Sequence, residues 1–199
     1  MQDTAANRSA RRISQNHLST ATAQQVYMVK HLHRARPIPG SFATAVELMP
    51  GEIALGQEGD QLKTLLGSCV AVILTDPRRT VGVMCHIVHV GVPSAAQAKN
   101  TAFGTVAMAE MFARLRAVGV NPHLCDAYVY GGGNMFPNLV SAHHVGDSNI
   151  HWVLDYLEEK GIHVIDHCLG GTGYRKLSWT VGKSEPMVQT IFADQGVAP

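Results

Sequence analysis

Cys69-Val-Ala-Val-Ile-Leu-Thr75, Asp76-Pro-Arg-Arg-Thr80 and Val81-Gly-Val-Met-Cys-His-Ile-Val-His-Val90 follow one another without a break. The first run is apolar and β-branched, which suits a strand. Asp76-Pro77-Arg78-Arg79 stops it as a turn, and the second run is again rich in valine, so the three together read as a hairpin. Working outward from this hairpin, residues 52–56 predict an earlier strand. Residues 101–118 predict a helix, because Met108, Met111, Phe112 and Leu115 recur at i, i+3, i+4 and i+7. Glu110 and Arg114 add an i,i+4 pair, and Gly119 supplies a stop. A strand over 126–130 runs into Gly131-Gly132-Gly133-Asn134. A second helix follows over 148–160, with Ile150, Val153, Leu154 and Leu157 on one face and Gly161 at its end. Strands over 162–167, 175–181 and 187–192 close the pattern. Adjacent strands that read as hairpins, interleaved with two helices, imply an α/β (α+β) fold. Its mixed, largely antiparallel sheet layers carry two main helices packed outside, and a doubly wound parallel sheet is not expected.

The whole chain has 199 residues, 46% of them hydrophobic and 16% charged, with a formal net charge of +1. That length fits one domain with an appendage, long enough to form a core without metal or disulfide staples. The near-zero charge gives no general argument for nucleic acid, and no stretch is apolar enough for a membrane span. The N-terminus lacks the apolar segment of a secretory signal, so a cytoplasmic location is expected. Charge and composition divide the chain. Residues 1–36 carry Arg8, Arg11, Arg12, Lys30, Arg34 and Arg36 against Asp3, a net +5 that leaves −4 for the remainder. No glycine precedes Gly40. The expected organisation is a basic arm over 1–44, with a short helix near 22–34, followed by a folded domain over 45–195.

Three sets of residues invite a chemical reading. Tyr130-Gly-Gly-Gly-Asn134 and Gly170-Gly-Thr-Gly-Tyr174 lack the spacing of a dinucleotide or phosphate loop, and tight turns explain them better. The eleven histidines include His86 with His89, His143 with His144, and His163 with His167, but none makes a metal-binding motif. Neither metal nor organic cofactor is called for. The four cysteines, Cys69, Cys85, Cys125 and Cys168, form no CxxC pair and are expected as free thiols. Of these, Cys69 stands out. Gly67 and Ser68 precede it, so the backbone can bend and neighbouring N–H groups can converge on a developing oxyanion. The hairpin brings His86 near it, and a cysteine nucleophile needs such a base. A small buried cysteine at a strand start would look the same on these residues alone.

Leu66-Gly-Ser-Cys-Val-Ala-Val72 and Gly82-Val-Met-Cys-His86 resemble the CheD family of chemoreceptor glutamine deamidases. Ala102-Phe-Gly104, Ala107-Met108, Gly131-Gly-Gly-Asn-Met135, Val145-Gly146 with Asn149, and Gly170-Gly171 with Arg175 extend the resemblance in the same order. It covers about residues 45–192. The resemblance implies a CheD-like fold and a cysteine hydrolase that converts glutamines of methyl-accepting chemotaxis receptors to glutamate, releasing ammonia. Carried over, Cys69 is the nucleophile, His86 the general base and acid, and Thr64 the residue that orients the histidine. Lys63 competes with Thr64 for that third role, because some members place the threonine one residue earlier. A further departure is His86-Ile-Val-His-Val90, where a Leu-Pro is expected after the histidine. Gly67 and Ser68 would support the oxyanion. The implied partners are the receptors themselves and a CheC-type phosphatase. The rival readings are a chemotaxis adaptor, non-catalytic or dual in role, and another Cys-His amide hydrolase.

Overall fold

Asp76 holds the turn of the central hairpin. One carboxylate oxygen accepts from the N–H groups of Thr80 at 2.7 Å and Val81 at 2.8 Å, the other from the Thr80 hydroxyl at 3.1 Å. In this computed structural model, which describes residues 43–135 and 144–192, the turn joins β4 (Val70–Thr75) to β5 (Val81–Ile87). The register pairs Val70 with Ile87, Ala71 with His86 and Thr75 with Gly82.

Five strands form the first sheet in the order β2-β5-β4-β6-β7, with β2 at Ile53–Gln57, β6 at Asp126–Gly131 and β7 at Val164–Leu169. All its pairings are antiparallel except β6 with β7. That parallel pair is joined through a helix, as a parallel connection requires. The second sheet has the order β1-β3-β8-β9, with β1 at Ala45–Leu48, β3 at Gln61–Leu66, β8 at Gly173–Thr180 and β9 at Met187–Phe192. Here β1 and β3 run parallel and the other pairs antiparallel. Among the described residues the α-helices are α1 (Gly104–Ala117) and α2 (Val145–Glu159).

Every residue of β4 is buried, because each face of the strand meets a different layer. Val70, Val72 and Leu74 face the helices, joining Met108, Met111 and Leu115 of α1 and Val153 and Leu157 of α2. Ala71 and Ile73 face the second sheet, where they meet Leu62, Leu66, Leu177 and Trp179. The result is a three-layer stack: helices, five-stranded sheet, four-stranded sheet.

The mixed, mainly antiparallel sheets with two helices outside agree with the sequence reading, and the apolar face read for α1 is buried. Two strands depart from it. The chain's first described strand is β1, ahead of the one expected at 52–56, and β3 occupies residues for which no strand is expected. β1 is four residues long, two of them exposed, too short for a hydrophobic period to register. Residues 1–42 of the expected arm, including the helix near 22–34, lie outside the described residues.

Candidate active site

His86 enters the space between the two sheets from β5, on the same face as Met84 and Ala71. Its backbone is clamped by the turn that carries the chain from β1 to β2. The Gly51 N–H donates to the His86 carbonyl at 2.9 Å, and the His86 N–H donates to the Glu52 carbonyl at 3.0 Å. The imidazole is 2% exposed.

Thr64 reaches this ring from the opposite sheet. The even positions of β3, Leu62, Thr64 and Leu66, point inward. Thr64 Oγ1 lies 2.8 Å from His86 Nδ1 and 2.8 Å from the Leu48 carbonyl oxygen. A carbonyl only accepts, so the single hydroxyl proton goes to Leu48, and Thr64 must accept from His86 Nδ1–H. This fixes the neutral ring's tautomer: the proton sits on Nδ1, and Nε2 carries the lone pair. Nε2 is buried and has no hydrogen-bond partner among the described residues. Lys63 lies on the other face of β3, lining an outer groove with Leu65, Lys176 and Ser178, so the structure brings Thr64 to the histidine and not Lys63.

Cys69 sits immediately before β4, two residues ahead of Ala71, the direct partner of His86. An antiparallel pair places such diagonal neighbours within reach of one another on a shared face. The residue is half-buried, and its packing neighbours belong to the inter-sheet core. Burial pushes the Cys69 thiol up from its ordinary value. Burial also holds His86 below 6.5, opposed in part by the Leu48 carbonyl and the Glu52 charge. Both shifts favour the uncharged forms, and Nε2, without a hydrogen-bond partner among the described residues, is the basic atom of the neutral ring.

The loop before Cys69 is pinned residue by residue. The Gly133 N–H donates to the Gly67 carbonyl at 2.8 Å, and the Gly132 N–H donates to the Cys69 carbonyl at 2.8 Å. Asn149 Nδ2 donates to the Ser68 carbonyl at 3.0 Å. Gly131 (φ 120°) and Gly132 (φ 69°) hold the close approach of β6 to this loop, and a Cβ on Gly131 would run into the Cys69 carbonyl. Glycine is required there both by conformation and by space.

A family model described as CheD chemotactic sensory transduction matches residues 91–190. The chain is 35% identical over 156 residues to a protein of Albidiferax ferrireducens named "Probable chemoreceptor glutamine deamidase CheD 2", covering 75% of this chain and 90% of that protein. A protein of Anaeromyxobacter dehalogenans named "Probable chemoreceptor glutamine deamidase CheD 1" is 34% identical over 155 residues, 77% of this chain and 89% of its own length. A third, from Pseudomonas syringae pv. syringae, is named "Probable chemoreceptor glutamine deamidase CheD" and is 33% identical over 135 residues, 66% of this chain and 76% of its own. The chain belongs to the CheD family.

In this CheD-family chain the other three cysteines have different surroundings from Cys69. Cys85 and Cys125 are buried, and burial pushes each thiol up to about 12. Cys168 is half-buried and accepts from Arg175 Nε at 3.3 Å. All four are free thiols. Several described histidines have structural partners: His144 Nδ1 accepts from the Gly146 N–H at the start of α2, and His151 Nδ1 lies 2.8 Å from the Asp147 carbonyl. Among the described residues no group of three His, Cys, Asp or Glu side chains could hold a metal ion, and no helix is long and apolar enough to cross a membrane. The sequence reading did not find the Leu48 carbonyl or Glu52 beside His86. A backbone acceptor has no side-chain signature, and Glu52 is placed only by the turn between β1 and β2.

Proposed function

We propose that the protein is a protein-glutamine deamidase acting on the glutamine side chains of methyl-accepting chemotaxis receptors, with Cys69 as nucleophile, His86 as base and acid, and Thr64 orienting the imidazole. The observation that carries this reading is the His86 ring itself. It is buried, tied through Nδ1–H to Thr64, and has an Nε2 without a hydrogen-bond partner among the described residues, in the inter-sheet core against which Cys69 packs. Family membership and the names of the relatives supply the substrate class.

The chemistry follows from that ring. His86 Nε2 takes the Cys69 thiol proton as the sulfur attacks the carboxamide carbon of the substrate glutamine. The carbonyl oxygen becomes an oxyanion, for which backbone N–H groups at Gly67, Ser68 and Cys69 are the available donors. The imidazolium then gives its proton to the amide nitrogen, the C–N bond breaks, and ammonia leaves a thioester on Cys69. A water deprotonated by Nε2 attacks this thioester, the C–S bond breaks, and the proton returns to the departing sulfur, releasing glutamate. Through both half-reactions Thr64 holds Nδ1–H, so Nε2 is always the atom that changes protonation. The Leu48 carbonyl and Glu52 favour the transient positive charge.

The same reading places the enzyme in the cytoplasm, with a basic arm over 1–44 ahead of a catalytic domain over 45–195. A CheC-type phosphatase as a second partner is supported by the family resemblance alone. The decisive experiment incubates the protein with receptor cytoplasmic fragments and follows both ammonia release and the mass change of glutamine-containing peptides. Wild type should convert specific glutamines and Cys69→Ala none. Equal traces from the two would refute the assignment.

A further inference from the structure

We infer that Asn149 is a positioning residue for the oxyanion-binding peptide of Cys69, an inference that rests on the deamidase reading. Asn149 lies on α2 and is fully buried. Its amide nitrogen makes two hydrogen bonds, to the Ser68 carbonyl at 3.0 Å and to the Val88 carbonyl at 3.2 Å. These two carbonyls flank the catalytic pair. Ser68 precedes the nucleophile, and Val88, one step past the Val70–Ile87 pair, is the position facing Cys69 across the hairpin. Asn149 thus bridges the mouth of the hairpin from the helical layer, while Cys69 and His86 work on the inter-sheet side.

The Ser68 carbonyl belongs to the peptide that also carries the Cys69 N–H. In a trans peptide those two groups point in opposite directions. Holding the carbonyl toward Asn149 therefore aims the Cys69 N–H away from it, and among the described residues no backbone hydrogen bond engages that N–H. Among the described residues it is a donor left available. Three successive carbonyls are fixed along this loop: Gly67 by Gly133 N–H, Ser68 by Asn149, and Cys69 by Gly132 N–H. Only the middle one depends on a side chain, so one substitution can loosen that peptide and leave its neighbours held. Asn149 Oδ1 has no partner among the described residues, so the amide is oriented by what its nitrogen donates to.

Two reactions of the same thiol separate this role from a merely structural one. Deamidation builds an oxyanion; alkylation of Cys69 by iodoacetamide displaces iodide from a saturated carbon and builds none. In Asn149→Asp, close to isosteric but without the amide donors, deamidation kcat should fall about 10- to 100-fold, as small misplacements at a reacting centre do. Alkylation of Cys69, followed by peptide mapping, should stay within about threefold of wild type, since no oxyanion donor is used. Asn149→Ala, which buries no charge, gives the same comparison if the aspartate variant does not fold. Deamidation unchanged in the variants, or both reactions falling together, would overturn the inference. A wild type inactive on receptor fragments would instead count against the deamidase reading, which keeps the two failures distinct.

Discussion

Thr64 accepts a hydrogen bond from His86 Nδ1 at 2.8 Å because its own proton is already committed to the Leu48 carbonyl. The two residues come from different sheets, so the orientation of the imidazole depends on how the sheets stack. Removing the hydroxyl should free the ring and leave the Leu48 acceptor unsatisfied. Thr64→Val, which keeps the shape, should lower kcat/KM by about 10- to 100-fold, part of what a positioned base contributes. Thr64→Ser should retain most of the activity, and Lys63→Ala should leave it unchanged. Steady-state kinetics on receptor fragments check all three; a loss confined to Lys63→Ala would overturn the role of Thr64.

A second expectation concerns pH. Burial lowers the His86 pKa below 6.5, and the active form of a base is the neutral one. The acid limb of kcat/KM should therefore fall at lower pH than an unperturbed histidine would give. Glu52 favours the charged imidazole, so Glu52→Gln should move that limb further down. The stability consequence has the same origin. The folded pKa is depressed, so the unfolded chain binds the proton more readily, and stability present above 6.5 is lost as pH falls through the folded value. Chemical denaturation of wild type and His86→Gln across that window should show a steeper acid loss in wild type.

The juxtaposition of Cys69 and His86 in the candidate site was legible from residues alone, for reasons that are local. The hairpin carrying Cys69 and His86 is announced by β-branched runs on either side of an Asp-Pro turn, and period-two alternation then puts both side chains on one face. The third member was harder. Choosing between Lys63 and Thr64 requires knowing that 61–66 is a strand, because alternation sends one inward and the other outward. The parallel pairing of β1 with β3 carries no turn signal, and β2 lies in the other sheet between them in sequence. Asn149 stands out in the sequence only through the family resemblance. Its contacts with Ser68 and Val88 depend on where α2 docks.

The cysteines should sort themselves by reactivity. Cys85 and Cys125 are enclosed in the core and should resist alkylation in the folded protein. Cys69 and Cys168 are only half-buried and should react ahead of the two core thiols. Activity should be lost in step with modification of Cys69 and should survive Cys168→Ser. Peptide mapping against residual deamidase activity checks this, and full activity after complete alkylation of Cys69 would remove it from the mechanism.

Gly131 offers the most stringent test of the loop. It ends β6 at φ 120°, a conformation that strains any other residue, and a Cβ there would meet the carbonyl of Cys69. Gly131→Ala must therefore push the strand end and the nucleophile loop apart, since neither partner is a flexible side-chain tip. Overpacking of this kind costs about 1–3 kcal/mol of stability. The effect on turnover should be larger than that loss alone explains, because the displaced carbonyl belongs to Cys69, the proposed nucleophile, and the Gly132 N–H bond to it lengthens with it. Measured by denaturant unfolding and by ammonia release on one preparation, Gly131→Ala should remain folded and lose at least about tenfold in kcat, as misplacement of a reacting group by even ~1 Å does. The comparison position is Gly170, which also has a positive φ, of 69°, but has open space around its would-be Cβ. Gly170→Ala, in the left-handed region that other residues enter at a cost of about 1–2 kcal/mol, should carry a smaller conformational cost and no clash at Cys69, and so keep its turnover. Equal losses of turnover at the two glycines would mean that backbone strain, and not contact with the nucleophile, governs this loop.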